Sequence, residues 1–185
     1  MSYFSRAVGR DRTVAVQLIA AVLMAGLATT SAVNAADLFV FVLEDENDSF
    51  CSLDLLDCSL REAILQANLD PNHDTIHLPA GTMTFSIFGE DDTGAEGDLD
   101  ILHETTILGQ GASSTIIDAN LAERTFQVHS DATVIMEGVT LTGGFARGLS
   151  NHGSLELKEC VIRDNGSGYA EGGGILNFYG TLTLT

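Results

Sequence analysis

The sequence predicts an all-β chain wound as a solenoid, with one short helix near its start, and three observations carry that expectation. First, Gly148-Leu149-Ser150-Asn151-His152-Gly153-Ser154-Leu155-Glu156-Leu157 returns as Gly174-Ile175-Leu176-Asn177-Phe178-Tyr179-Gly180-Thr181-Leu182-Thr183-Leu184, with Asn151 and Asn177 26 positions apart. That spacing falls in the range of solenoid repeats. Second, Leu155/Leu157 and Leu182/Leu184 alternate with Glu or Thr, so one face of each strand is apolar. A lone short strand cannot bury that face or satisfy its edge amides, and the same segment of the next coil must stack on it. Third, glycine recurs between the apolar runs, where tight corners need positive φ.

The elements follow in chain order. Residues up to Arg12 are basic, Val14 to Ala28 are apolar, and small residues end at Val33-Asn34-Ala35-Ala36. This is the grammar of an export signal, and cleavage is expected after Ala35, leaving residues 36–185 secreted or at the cell surface. The apolar run is broken by Gln17 and Gly26 and is shorter than the roughly 20 residues a spanning helix needs, so no transmembrane helix is expected in the mature chain. Export places Cys51 and Cys58 in an oxidising compartment, where a small disulfide loop is favoured over a metal site. His73, His77, His103, His129 and His152 are scattered along the chain, with no pair at ligand spacing. Such a loop stabilises by at most about 2.5 kcal/mol on chain entropy. Cys160 is left over and reads as a small buried hydrophobe.

Ser59 stands three residues before Glu62, the spacing of a capping box. Leu60, Ala63, Ile64 and Ala67 follow at helical spacing and form a narrow apolar face, and Pro71 bounds the run. Capping and surface pairing account for Arg61 and Glu62 without any catalytic role. The organisation expected is therefore a signal over 1–35, a cap over 36–72 and β coils over 73–185.

These residues carry a resemblance. Cys51, Asp57-Cys58-Ser59-Leu60-Arg61-Glu62-Ala63-Ile64, Ala67-Asn68, Asp74-Thr75-Ile76, Leu78-Pro79-Ala80-Gly81 and Gly97-Asp98-Leu99-Asp100-Ile101 resemble the CSLREA N-terminal domain of large exported bacterial proteins. The match covers roughly residues 38 to 120. Beyond it, Val161-Ile162-Arg163-Asp164-Asn165 and Gly172-Gly173-Gly174-Ile175 are similar to the repeats of polymorphic outer-membrane proteins. The resemblance implies a right-handed parallel β-helix of the pectin-lyase type, and no settled activity for the N-terminal module.

The coils are expected to begin at Asp74-Thr75-Ile76-His77-Leu78 and to continue through Ile101, Ile107-Leu108, Ile116-Ile117, Phe126-Gln127-Val128, Val134 to Met136, Val139-Thr140-Leu141, Leu155-Glu156-Leu157 and Val161-Ile162. About four coils fit. Asn151 and Asn177 share one place in the repeat, where stacked amides would form a hydrogen-bonded ladder. Ligand binding along an exposed face is the alternative; the ladder predicts a lower melting temperature in Asn177→Ala, and an unchanged one with lost ligand binding would reverse the assignment. The pattern still runs at Thr185, so the last coil is expected to be truncated and open, and residues 36–185 to self-associate through its edge.

Charge limits the partners. The chain holds 26 acidic and 8 basic side chains, and removal of residues 1–35 leaves 25 and 5, a balance of −20 over 150 residues. No basic stripe is available to neutralise phosphates, so no nucleic-acid partner is expected and anionic lipid is disfavoured. Glu90-Asp91-Asp92 with Glu96, Asp98 and Asp100, and the run Glu44-Asp45-Glu46-Asn47-Asp48, read as solvated loops, with calcium as the rival for Asp91, Asp92, Glu96, Asp98 and Asp100. No catalytic constellation is visible: Arg124, Arg147, Lys158 and Arg163 are scattered, and Asp118, Asp131 and Asp164 sit beside turns. The expected function is structural presentation or adhesion at the surface, with glycans or surface proteins as partners. The alternative is a carbohydrate-active enzyme whose catalytic coils lie beyond residue 185.

Overall fold

A computed structural model describes residues 35–48, 50–166 and 173–185. Residues 1–34 of the expected signal segment and Gly172 lie outside the described residues. Among the described residues fourteen strands and one helix succeed one another: β1 (Asp37–Phe39), α1 (Leu60–Ala67), β2 (Asp74–His77), β3 (Gly81–Thr84), β4 (Leu99–Ile101), β5 (Thr105–Leu108), β6 (Thr115–Asp118), β7 (Phe126–Val128), β8 (Thr133–Glu137), β9 (Thr140–Thr142), β10 (Leu149–Asn151), β11 (Ser154–Lys158), β12 (Val161–Ile162), β13 (Ile175–Asn177) and β14 (Thr181–Leu184).

All pairings between named strands are parallel. The strands form three sheets, ordered β1-β2-β5-β8-β11-β14, β13-β10-β7-β4 and β12-β9-β6-β3. From β2 onward the chain visits the three sheets in strict rotation, so every third strand lands beside its predecessor in the same sheet.

Register puts like residues on like. In the six-stranded sheet Leu38, Ile76, Ile107, Met136, Leu157 and Leu184 stand in one row. In the sheet of β3, Met83, Ile117, Leu141 and Ile162 do the same, and in the sheet of β4 the row is Leu99, Phe126, Leu149 and Ile175. Alternation sends these rows inward, and all but the exposed Leu184 form one buried cluster or, as Ile162 and Ile175 do, pack against it partly buried.

Strand β1 lies inside the region expected to be cap alone, because Leu38 and Val40 extend the inward row at its first edge. Helix α1 contacts β2 and β4. Ser59 accepts from the Glu62 N–H, and Glu62 Oε2 accepts from the Ser59 N–H at 2.9 Å. The helix stops at Asn68, before Pro71. The Asn68 side chain donates to Asp100 O at 2.7 Å and accepts from Leu102 N at 3.0 Å, tying the helix end to β4. A disulfide joins Cys51 and Cys58 and fixes the approach to the helix.

The buried face of α1 is broader than its apolar spacing suggests, since Arg61 is also enclosed. Its guanidinium donates twice to Asp45, at 2.7 and 3.2 Å, and to the carbonyls of Gly94 at 2.7 Å and Gly97 at 2.8 Å, and it lies over the Phe85 ring. Asp45 also accepts from the Ser86 and Ile87 amides. Surface pairing does not describe Arg61, and solvation does not describe Asp45: the planar fork of Arg61 satisfies one carboxylate and two carbonyls at once, which is what permits its burial. Among the described residues no helix is long and apolar enough to cross a membrane.

Candidate functional site

A row of polar side chains lies on the face of the sheet β13-β10-β7-β4 turned away from the core. Leu99 and Ile101 point into the core, so Asp100 between them points out, and register sets Asp100 beside Gln127 and Gln127 beside Ser150. One residue beyond the ends of these strands, His129, His152 and Phe178 follow the inward positions Val128, Asn151 and Asn177 and line up by the same register. Two of the histidines that look scattered in sequence, His129 and His152, thus become neighbours. His129 and His152 are 23 positions apart, and the shared register of Val128 and Asn151 is the signal that could have paired them.

His129 Nε2 lies 2.8 Å from Asp100 Oδ1 and 3.1 Å from Gln127 Nε2, and His152 Nε2 lies 3.1 Å from Ser150 Oγ. A single ring nitrogen cannot donate to Asp100 and accept from an amide N–H together. With the proton on Nε2 pointing at Asp100, Gln127 is satisfied by turning its amide oxygen towards the ring. The His152 ring meets Phe178 edge-on at 5.8 Å, and Phe178 meets Tyr179 at 4.4 Å. Tyr179 is the extra residue between Asn177 and Gly180 compared with the previous repeat. It takes a positive φ of 62° and stands 92% exposed.

Beside this row, Asp98 receives Arg124 Nε at 2.6 Å, and Arg124 also pairs with Glu123 at 3.0 Å. Glu90, Asp91, Asp92, Asp98, Glu123 and Arg124 line a cleft of about 300 Å³. Burial outweighs Arg124 and lifts the Asp98 carboxyl to about 6. Burial likewise raises Asp100, against the pull of His129. His152 is lowered, by burial first and then by the nearby His129, Arg124 and Arg147, so it is neutral at physiological pH. Gly94, at φ 85°, covers Asp100: a Cβ there would come within 3.0 Å of the Asp100 backbone nitrogen.

The calcium candidates do not share one coordination shell. Asp91 accepts the amides of Thr93, Gly94 and Glu96, Asp98 holds Arg124, Asp100 holds His129, and Asp92 and Glu96 are exposed. Among the described residues, the ligand atoms that do cluster, all within 4.8 Å of one another, belong to Glu46, Asp57 and Glu62. These three could hold a hard cation, although Glu62 is already engaged by the Ser59 amide. Burial, and then Asp48, Asp57, Glu62 and Glu44, raise the Glu46 carboxyl.

Asn151 and Asn177 continue inward a row that is aliphatic at Ile101 and Val128. Asn151 is fully buried; its Nδ2 donates to Asn177 Oδ1 at 2.7 Å and to Thr181 O at 2.9 Å, its Oδ1 accepts from Gly153 N, and Asn177 Nδ2 donates to Gly180 O. The amides therefore bond to each other and to the corner that follows. Cys160 is half-buried against the Met136 and Lys158 carbonyls, and burial raises its thiol above the ordinary range. Asp118 accepts from Asn120 N and Asp164 pairs with Arg163, so neither faces the polar row.

Comparison with known protein families, curated proteins and solved structures yields no match.

Proposed function

We propose that the chain is part of an exported right-handed parallel β-helix whose role is display and adhesion, and that it contacts glycans through the outer face of the sheet β13-β10-β7-β4. The rotation of the strands through three sheets supports the winding. The observation that carries the functional reading is the in-register strip His129, His152 and Phe178 with Tyr179 at its end. Exposed rings present flat faces to the C–H faces of sugar rings, while Gln127, His129 and His152 offer hydrogen bonds to hydroxyls. The acidic surroundings favour neutral or amino-bearing sugars over polyuronates.

The test is a glycan array probed with the exported protein and with a His152→Ala/Phe178→Ala variant. Binding by the first and at least a tenfold loss in the second, at an unchanged melting temperature, is expected. Equal binding by both would overturn the assignment to this face.

A second reading, glycan cleavage, is favoured by one observation: Asp98, lifted to about 6, can hold a proton near neutral pH as a general acid must. Release of new reducing ends from the bound glycan, abolished in Asp98→Asn, would establish it in place of adhesion.

A further inference from the structure

Ala36, the residue that follows the expected cleavage point, donates its backbone N–H to Asp74 Oδ1 at 2.7 Å. Asp74 opens β2 and is only 3% exposed, while Ala35 is exposed and Ala36 is partly buried. The Ala36 carbonyl accepts from Thr75 N at 2.8 Å, so both polar groups of this residue are committed to β2 just where β1 begins. A buried carboxylate facing a single neutral amide is under-compensated, and burial raises Asp74 accordingly, with the Ala36 hydrogen bond opposing.

We infer that removal of the leader builds a structural ion pair, in which the new α-ammonium of Ala36 meets the buried Asp74 carboxylate and locks β1 onto β2. This rests on the reading of Ala35–Ala36 as the scissile bond. Hydrolysis by a signal peptidase consumes one water: its oxygen joins the Ala35 carbonyl carbon to give a carboxylate, the C–N bond breaks, and the Ala36 nitrogen leaves as an ammonium at neutral pH. Atoms and charge balance, with no other reactant. The nitrogen already sits at hydrogen-bond distance from Asp74, so the fold need not rearrange; a neutral N–H···O bond becomes a charge-assisted one with two further donors.

The other charged groups at this corner are Asp37, Asp70, His73 and Glu104; Asp37 pairs with His77 at 2.9 Å and His73 with Glu104 at 3.1 Å. Asp70 reinforces the attraction for an ammonium, and protonated His73 opposes it. The inference gives the precursor and the processed chain the same β1–β2 pairing but different stabilities there, with the processed chain the more stable.

The test uses the full 185-residue chain expressed with export. Mass spectrometry identifies the N-terminus of the exported product, and its unmodified α-amine is then titrated by NMR through the ¹³Cα and ¹³Cβ shifts of the N-terminal residue in ¹³C-labelled protein. The expected result is an N-terminus at Ala36 whose amine titrates at least about one unit above the ordinary range of about 7.7–8.0, equivalent to a tenfold smaller ratio of free to protonated amine at any given pH. In Asp74→Asn the value returns to that range. An N-terminus elsewhere overturns the cleavage reading and the ion pair with it. An N-terminus at Ala36 that titrates in the ordinary range overturns the ion pair alone. Should Asp74→Asn not fold, the wild-type titration decides by the same criterion.

Discussion

The two ends of the same stack differ sharply. In the inward row of the six-stranded sheet, Ile76, Ile107 and Met136 are fully buried and Leu38 is 5% exposed, but Leu184 is 63% exposed. The chemistry of the residues is the same. The difference is what lies on top: β1 and β14 are both outer strands of this sheet, but the disulfide loop and the capped helix pack against the core at the β1 end, whereas no described strand pairs beyond β14. Strand sequence alone therefore does not produce burial here; a neighbouring layer does. The polar row sits nearer the enclosed end, with Asp100 on β4 and His129 just after β7, while its aromatic end at Phe178 and Tyr179 lies by the outermost strand of its own sheet.

The comparison can be broken at either end. The largest effect is expected from Arg61→Ala, which leaves Asp45 buried without its cation and frees two carbonyls; a loss of about 3–5 kcal/mol is expected in urea unfolding. Next, Met136→Ala should cost about 2–5 kcal/mol, against about 0.5 kcal/mol or less for Leu184→Ala, although the two side chains belong to one row. Equal losses would remove the distinction between the ends. Asn151→Ala leaves Asn177 and the Gly153 amide without their partner, and about 1–3 kcal/mol is expected, read as a lower melting temperature.

The smallest effect is a pH dependence. The folded Asp98 carboxyl titrates at about 6, above the roughly 3.9 of an unfolded aspartate, so between these values the folded state binds more protons. Stability from this group is present below pH about 4 and is lost as pH rises through about 6. Asp98→Asn should flatten that part of the profile, and an unchanged slope would mean that Arg124 fully compensates the carboxylate.

Much of the enclosed end was legible in the sequence because its signals are local. The Ser59–Glu62 capping box needs three residues of spacing, the Cys51–Cys58 loop needs seven, and alternating leucines need two. The polar row was not legible, because Asp100, Gln127 and Ser150 become neighbours only through register between strands 23 to 27 residues apart, and the loops that set this register vary in length. Arg61 escaped for a different reason. An arginine is normally read as surface, and its enclosure depends on Asp45 and on the Gly94 and Gly97 carbonyls, which lie 16 to 36 residues away. Strand β1 was missed because three residues, Asp37 to Phe39, carry too little periodicity to stand out before the partner β2 is known.

The most direct test of this account is residue-resolved hydrogen exchange on the exported chain at a concentration where it is monomeric. Slow exchange is predicted at Leu99–Ile101, Phe126–Val128 and Thr133–Glu137, with fast exchange at Ile175–Asn177 and Thr181–Leu184. Uniform protection from β4 to β14 would contradict the claim that order in this stack is supplied from its enclosed end.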